Sequence, residues 1–325
     1  MEQTTNQTRI DLTEFTQKVN VIRQSIASVI VGQEVPVNLL LTAILADGHV
    51  LLEGVPGVAK TLLARVVSRL LDARFSRLQF TPDLMPSDVL GTTVFNMKNS
   101  EFDFHRGPVF ADVVLVDEIN RAPAKTQAAL FEVMEERQAS IDGTTYTLGD
   151  LFTVLATQNP VEQEGTYKLP EAQLDRFLMK ISMLYPTINE EVAILQRHQS
   201  NARLVKLERL EPVLTRDELL RYRALVANVY VDNSLLVYIA QVVQQTRSDR
   251  AVYLGASPRA AVALLRSSKA FALLQGRDFV TPDDIKYVAP AVLQHRMMLT
   301  AEAEMEGNTA MKVVQRLINQ VKIPN

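Results

Sequence analysis

Cysteine and tryptophan are both absent from this 325-residue chain. Without cysteine, the chain cannot hold a disulfide framework, a thiolate nucleophile, or a cysteine-ligated zinc or iron–sulfur site. Long apolar runs are also lacking, because the longest, residues 39–46, is far shorter than the roughly 18 residues of a membrane span. The polar amino terminus has no basic-then-apolar order typical of an export signal. We therefore expect a cytoplasmic protein with no membrane span.

An excess of basic charge is missing as well. The chain has 34 Lys and Arg against 37 Asp and Glu, which gives a net charge of -3. Non-specific duplex binding depends on a concentrated basic surface, so no nucleic-acid partner is expected. The composition is otherwise that of an ordinary globular protein, and the length suggests about two domains.

Short apolar runs alternate with helical stretches between residues 49 and 183. The runs read HVLLEG, FSRLQF, DVVLVDE, LFTVLATQN and RFLMKISM. Buried runs of this length, separated by helices, predict a parallel sheet in an α/β fold. Strand-like alternation in residues 92–106 and 138–148 predicts two β-hairpins inserted into this fold, the second with the turn pair Asp142-Gly143.

Patterning divides the chain into three segments. Residues 1–30 contain a helix, because apolar residues recur there at spacings of three and four: Leu12, Phe15, Val19, Ile22, Ile26 and Ile30. Residues 31–186 hold the α/β pattern. Residues 187–325 show no strand pattern but three helix starts, at Thr187, Thr215 and Thr281, and this predicts a separate all-α domain.

The most specific motif is GVPGVAKT, residues 54–61. It directly follows the first predicted strand and directly precedes a predicted helix. Glycines allow close backbone approach there, and amides at a helix start point toward an anion, so the segment predicts a phosphate-binding loop for ATP. Lys60 would contact the β- and γ-phosphates, and Thr61 would give its hydroxyl to Mg²⁺. The candidate binding residues are Gly54, Val55, Pro56, Gly57, Val58, Ala59, Lys60, Thr61 and Leu62.

Position 59 departs from the motif, which places glycine before the lysine. Alanine adopts right-handed backbone angles freely but left-handed ones only at a cost. The phosphate-loop interpretation therefore predicts right-handed backbone at Ala59. A plain strand-to-helix turn is the structural alternative.

Two carboxylates, Asp117 and Glu118, end the buried run 113–116. Open α/β sheets place their ligand chemistry at such strand ends. We expect Asp117 to hold Mg²⁺ through water and Glu118 to act as general base or polariser for an attacking water. Asn159, after another buried run, could orient that water, although turn chemistry alone favours a turn residue before Pro160.

Five segments together, GVPGVAKT, VLVDEINRAP, LATQNP, LPEAQLDRF and GASPRA, resemble the MoxR family of AAA+ ATPases. The resemblance implies a five-stranded P-loop domain over 31–186, a helical lid over 187–325, and homo-oligomeric rings, usually hexamers, with ATP between neighbours. It also implies partner proteins with von Willebrand factor A domains.

The resemblance assigns roles to four further positions. Asn159 corresponds to the first sensor, and Arg176 to an arginine finger that reaches the γ-phosphate in the adjacent subunit. Arg259 corresponds to a second sensor that contacts the phosphate of its own subunit, and Gly32 to the adenine-side linker. The simpler alternatives are local ion pairs of Arg176 with its neighbours Asp175 or Glu171, and a solvated Arg259.

These inferences favour an Mg-dependent ATPase that remodels or matures partner proteins as a chaperone does. Hairpin inserts also occur in helicase relatives, so a nucleic-acid motor or clamp-loader-like ATPase is the second candidate. A nucleotide-gated, non-catalytic assembly scaffold is the third. The hairpin aromatics Phe102, Phe104 and Tyr146 would either touch a partner or pack across strands.

Overall fold

The computed structural model describes residues 10–98, 100–160, 165–199 and 207–323. Five parts of the predicted segments lie outside these described residues: 1–9 of the first segment, Asn99 of the first hairpin, 161–164 of the α/β segment, and 200–206 and 324–325 of the last segment.

The first half of the chain alternates helices with strands. In chain order its elements are α1 (Thr13–Val29), α2 (Glu34–Leu45), β1 (Val50–Glu53), α3 (Lys60–Leu70), β2 (Phe75–Gln79), α4 (Pro86–Leu90), β3 (Gly91–Asn96), β4 (Glu101–Arg106), β5 (Val113–Asp117), α5 (Ala124–Glu136), β6 (Gln138–Ile141), β7 (Thr144–Thr147), β8 (Thr153–Gln158), α6 (Glu171–Leu174) and β9 (Met179–Ser182). The six apolar residues of the predicted first helix are all buried.

Five strands form one sheet in the order β2-β5-β8-β1-β9. Every neighbouring pair in it is parallel, which confirms the predicted α/β fold. The central strands β5, β8 and β1 are mostly apolar because both sheet faces are covered, each by its own hydrophobic cluster. Since parallel strands end at the same edge, the segments that follow β1, β5 and β8 meet at the carboxyl edge of the sheet.

Both predicted hairpins are confirmed. β3 pairs with β4 and β6 with β7, each antiparallel. In the second hairpin, Asp142 and Gly143 have φ of 49° and 79°, as a tight two-residue hairpin turn requires. Phe104 stacks on Tyr146 with ring centroids 4.1 Å apart, whereas Phe102 is 73% exposed. The two hairpins therefore pack together through Phe104 and Tyr146.

The second half is helical, with α7 (Ile188–Gln199), α8 (Arg216–Asn228), α9 (Asn233–Ser248), β10 (Val252–Leu254), α10 (Pro258–Leu274), α11 (Pro282–Leu293), β11 (Met298–Leu299), α12 (Ala301–Met305) and α13 (Ala310–Gln320). Capping boxes at Thr215 and Thr281 start α8 and α11 as predicted. The expectation of a purely helical segment was wrong in one detail, because β10 and β11 pair antiparallel. Strands of two and three residues are too short to show alternation in a sequence.

The lid helices share a hydrophobic core with one face of the sheet. A single buried cluster contains residues of α1, α2, β1 and the lid helices α8–α13. Two ion pairs reinforce this contact, Arg216 Nη1 to Asp112 Oδ1 at 2.7 Å and Arg223 Nη1 to Asp47 Oδ1 at 2.6 Å. Helix α8 therefore packs against the half of the chain that forms the five-stranded sheet.

Within the part of the chain that the structure describes, no helix combines the length and apolar character needed to cross a bilayer.

Candidate functional site

The loop after β1 closes around the side chain of a lysine. Helix α3 begins at Lys60, whose ammonium group donates to the carbonyl oxygens of Gly54 and Val55. Gly57 has φ 89° and open space where a Cβ would project. Its left-handed backbone turns the loop back toward the helix start, where free amides favour an anion.

The predicted right-handed backbone at Ala59 was wrong. Ala59 has φ 66° and ψ 24°, which is left-handed. Left-handed residues that alternate with right-handed ones direct successive amides to one point, and the resulting concavity binds anions. The condition that the sequence set for Ala59 is therefore not met, and the phosphate-loop assignment rests on the position of the loop between β1 and α3. The left-handed angle costs alanine about 1–2 kcal/mol.

Asp117 ends β5 with its side chain only 9% exposed. Its Oδ1 accepts from the Thr157 hydroxyl at 3.1 Å, and its Oδ2 accepts from Arg77 Nε at 2.7 Å. Arg77 lies on β2, the edge strand beside β5. The structure thus places a cation directly on the carboxylate that the sequence assigns to the metal.

Glu118 follows with left-handed backbone, at φ 56° and ψ 51°. Its N–H donates to the Thr157 hydroxyl oxygen at 3.0 Å. Its carboxylate accepts from Gln79 Nε2 at 2.8 Å and lies 3.3 Å from Arg121 Nη1. Left-handed glutamate is uncommon and costly, so the surrounding contacts hold this turn in its conformation.

Strand β8 lies between the loop and the acidic pair. The Thr157 hydroxyl of this strand contacts both Asp117 and Glu118. Asn159, which is 8% exposed, follows the last residue of the strand. With neighbouring strands about 4.8 Å apart, β1 and β5 are separated by about 10 Å. Asn159 follows β8, the strand between them. The residues that the sequence assigns to one nucleotide site therefore follow three neighbouring strands at the same edge of the sheet.

These residues fit a magnesium nucleotide. The loop offers amides and an ammonium group for phosphates, and Thr61 lies in the first turn of α3. The Arg77 guanidinium on Asp117 shows that the carboxylate attracts a cation, while oxygen ligands are those that Mg²⁺ prefers. Thr61 and Asp117 would hold Mg²⁺, the latter through water.

Gly32 lies before α2 with φ 70°. A Cβ there would come within 2.1 Å of Glu190 Oε1, a residue of the capping box that starts α7. The structure thus places Gly32 where the amino-terminal segment meets the first helix of the lid. No contact described there tests the predicted adenine-side role.

Arg176 lies at the opposite, amino edge of the sheet. Leu178, two residues later, donates its N–H to the carbonyl of His49, which precedes β1. Arg176 Nη1 donates to Phe131 O at 2.7 Å and pairs with Glu135 Oε2 at 3.0 Å. The pairing partner is thus in α5 and not the sequence neighbours Asp175 or Glu171.

Arg259 lies beside Arg176 rather than beside the loop. Its Nη2 is 3.4 Å from Glu135 Oε1, and the four residues of β1 alone span about 13 Å between the two sheet edges. The contact with Glu135 places the start of α10 against the amino edge, and the contact of Arg259 with the phosphate of its own subunit stays a prediction.

Four residues near these sites have no assigned role in the sequence interpretation: Arg77, Gln79, Glu135 and Thr157. Arg77 and Gln79 alternate with buried Leu78, and that alternation marks β2 as an edge strand with one polar row. Thr157 lies two residues before the candidate Asn159. Glu135 gives no signal, because its partners lie 41 and 124 residues further along the chain.

Comparisons with known proteins bear on this site. Residues 49–179 match the model of the ATPase family associated with various cellular activities (AAA), and residues 244–317 match that of the AAA lid domain. The chain is 49% identical over 301 residues to protein YeaC of Bacillus subtilis, which covers 93% of each chain. It is 44% identical over 305 residues to Chaperone MoxR1 of Mycobacterium tuberculosis, covering 91% of this chain and 80% of that protein.

A crystal structure described as a candidate ATPase from Cytophaga hutchinsonii superposes with a TM-score of 0.88 over 97% of both chains, at 41% identity. The parallel sheet, the loop after β1 and the matched models together define an AAA+ ATPase. Relatives named MoxR align over most of its length. The chain belongs to the MoxR family.

Proposed function

We propose that this protein is an Mg-dependent ATP hydrolase that couples its cycle to remodelling or maturation of a partner protein. The observation that carries the proposal is the meeting of the Lys60 loop with Asp117 and Glu118 at one sheet edge. The chaperone name of a relative at 44% identity supports the remodelling role. A partner with a von Willebrand factor A domain, a hexameric ring and a cytoplasmic location belong to the same proposal.

In this mechanism the loop amides and the Lys60 ammonium bind the phosphates and orient the terminal one. Bound Mg²⁺ supplies charge neutralisation for the phosphate oxygens. Glu118 accepts the proton of the attacking water, and Asn159 positions that water. Gln79 and Arg121 contact the Glu118 carboxylate. These contacts hold its side chain in position when no attacking water is bound.

The amino-edge arginines act on a neighbouring chain. Arg176 and Arg259 lie on the edge opposite to their own loop, so a phosphate within their reach is one bound by the next subunit. A planar guanidinium fits phosphate oxygens, and an arginine finger supplied in this way contributes roughly a thousandfold or more to turnover.

Phosphate release, measured together with molecular mass in solution, tests the proposal. We expect Lys60→Ala to lose nucleotide binding and Glu118→Gln to keep binding but lose turnover. Turnover that persists in Glu118→Gln would contradict the assigned base. Binding without turnover in the wild type would favour the scaffold, and stimulation by single-stranded DNA would favour a nucleic-acid motor.

A further inference from the structure

The two arginines of the amino edge are joined through a single carboxylate. Glu135 Oε2 lies 3.0 Å from Arg176 Nη1, and Glu135 Oε1 lies 3.4 Å from Arg259 Nη2. Each oxygen of the carboxylate therefore serves one guanidinium. We call Arg176, Glu135 and Arg259 the Glu135 fork.

The fork joins two halves of the molecule. Glu135 is in the last turn of α5 and Arg176 precedes β9, so both belong to the sheet half, whereas Arg259 is in the first turn of α10 in the lid. Arg176 has a further anchor in Phe131 O. For Arg259, Glu135 provides a polar contact to the sheet half, and its side chain is 67% exposed.

Two guanidinium groups held this close repel each other. A carboxylate between them offsets that repulsion and fixes their spacing, because opposite charges attract over a few ångströms. Within the described residues, these two arginines make their polar contacts through Arg176 Nη1 and Arg259 Nη2. Other N–H groups can therefore face an anion, since each guanidinium carries five donors.

We propose that Glu135 is a positioning residue that holds Arg176 and Arg259 together as one paired donor for the triphosphate of the neighbouring subunit. This inference rests on the proposed function. It adds that one carboxylate links a lid residue to the finger, so a lid movement that breaks the Glu135–Arg259 contact leaves Arg176 in place and removes its companion.

The test compares Glu135→Gln with Glu132→Gln, which removes the same charge one helical turn earlier on an exposed position. We expect Glu135→Gln to lower kcat for ATP about tenfold, while KM and the unfolding temperature stay unchanged. A 1 Å misplacement can cost about a hundredfold, and the contact with Phe131 O that keeps Arg176 in place reduces the effect. Combining it with Arg259→Ala should lower kcat no further than Arg259→Ala alone. Equal kcat for the two glutamine variants, or independent effects that multiply in the double variant, would overturn the inference.

A second readout does not depend on turnover. In a Glu118→Gln background, sedimentation with Mg-ATP reports assembly of chains that bind but do not hydrolyse. Glu135→Gln should raise the chain concentration at half-assembly about threefold or more, since loss of one arginine contact to phosphate weakens association by a kilocalorie or so, and should change nothing without nucleotide. An unchanged midpoint overturns the inference. A wild type that neither hydrolyses ATP nor assembles with it overturns the proposed function first.

Discussion

Arg77 Nε lies 2.7 Å from Asp117 Oδ2, so an arginine of the edge strand neutralises the carboxylate expected to hold Mg²⁺. The contact is diagonal across two adjacent strands, because Arg77 lies opposite Leu115 and Asp117 lies opposite Gln79. It means that cation binding at Asp117 is a competition between a resident guanidinium and the metal.

Removing that competitor should make the metal bind more easily. Arg77→Gln is expected to lower the Mg²⁺ concentration needed for half-maximal nucleotide binding about two- to fivefold, because a half-exposed ion pair contributes up to about 1 kcal/mol. Fluorescent-nucleotide titrations at several Mg²⁺ concentrations measure it. Arg74→Gln is the control, since Arg74 pairs with Asp112 at the other sheet edge. A higher Mg²⁺ requirement in Arg77→Gln would contradict the competition.

Ala59→Gly should stabilise the fold slightly and keep nucleotide binding. Glycine removes the cost of the left-handed alanine, about 1–2 kcal/mol. It also makes the unfolded chain more flexible, and this offsets about 0.4–1 kcal/mol of the stabilisation. Urea unfolding should therefore show a gain of roughly 0.5 kcal/mol. Ala128→Gly, at an exposed position inside α5, should instead lose about 1 kcal/mol. A loss at both positions would mean that Ala59 is not strained.

Acid should destabilise the protein through His49. Val154 N donates to Nδ1 of His49 at 2.9 Å, and Nε2 of His49 lies 3.1 Å from Met134 O. Both nitrogens of the neutral ring therefore have partners. Burial lowers the pKa of His49 to about 4. An unfolded histidine has a pKa of about 6.5. The unfolded state therefore binds the proton first, and stability falls as pH drops from about 6.5 to 4, by about 3 kcal/mol in all.

His49→Gln should remove that share of the pH dependence, although it costs stability at neutral pH. The free energy of unfolding, measured from pH 7 to 4, should fall less steeply than in the wild type. Burial also lowers the pKa of His295, so some slope remains. His198→Gln, at an exposed position of α7, should leave the wild-type slope, and an unchanged slope in His49→Gln would contradict the assignment.

Asp175→Ala should be strongly destabilising. Arg296 Nε lies 2.7 Å from Asp175 Oδ1, and the arginine side chain is only 4% exposed. Removing the acid leaves a buried charge without its partner, which typically costs 3–5 kcal/mol. Arg316→Ala breaks a more exposed pair with Asp249 and should cost less than about 1 kcal/mol. Chemical denaturation of both variants measures the difference, and equal losses would argue against the burial effect.

Local patterns predicted the parts of this fold that local residues decide. The stripe from Leu12 to Ile30, the capping residue Thr215 and the turn pair Asp142-Gly143 all act within a few residues of themselves. The shared edge of Lys60 and Glu118 follows from the rule that parallel strands present their carboxyl ends at one edge, whereas the strand order was not predicted.

The same local patterns could not predict how residues far apart in the chain are placed relative to one another. Arg259 was assigned to its own phosphate by motif, yet the position of α10 is decided by lid packing spread over many helices. The left-handed angle of Ala59 was missed because residue preference favours right-handed alanine, whereas the loop geometry overrides it. Glu135 is found only when residues 135, 176 and 259 are brought together in space.

The opposite placement of loop and arginines has a consequence for symmetry. When the arginines of one chain reach the loop of the next, as proposed, the two surfaces in contact are different ones. A contact of this kind that repeats in one direction is heterologous, and it either closes into a circle or continues as a filament. The polarity of one sheet thus gives each chain two unlike surfaces for the proposed assembly.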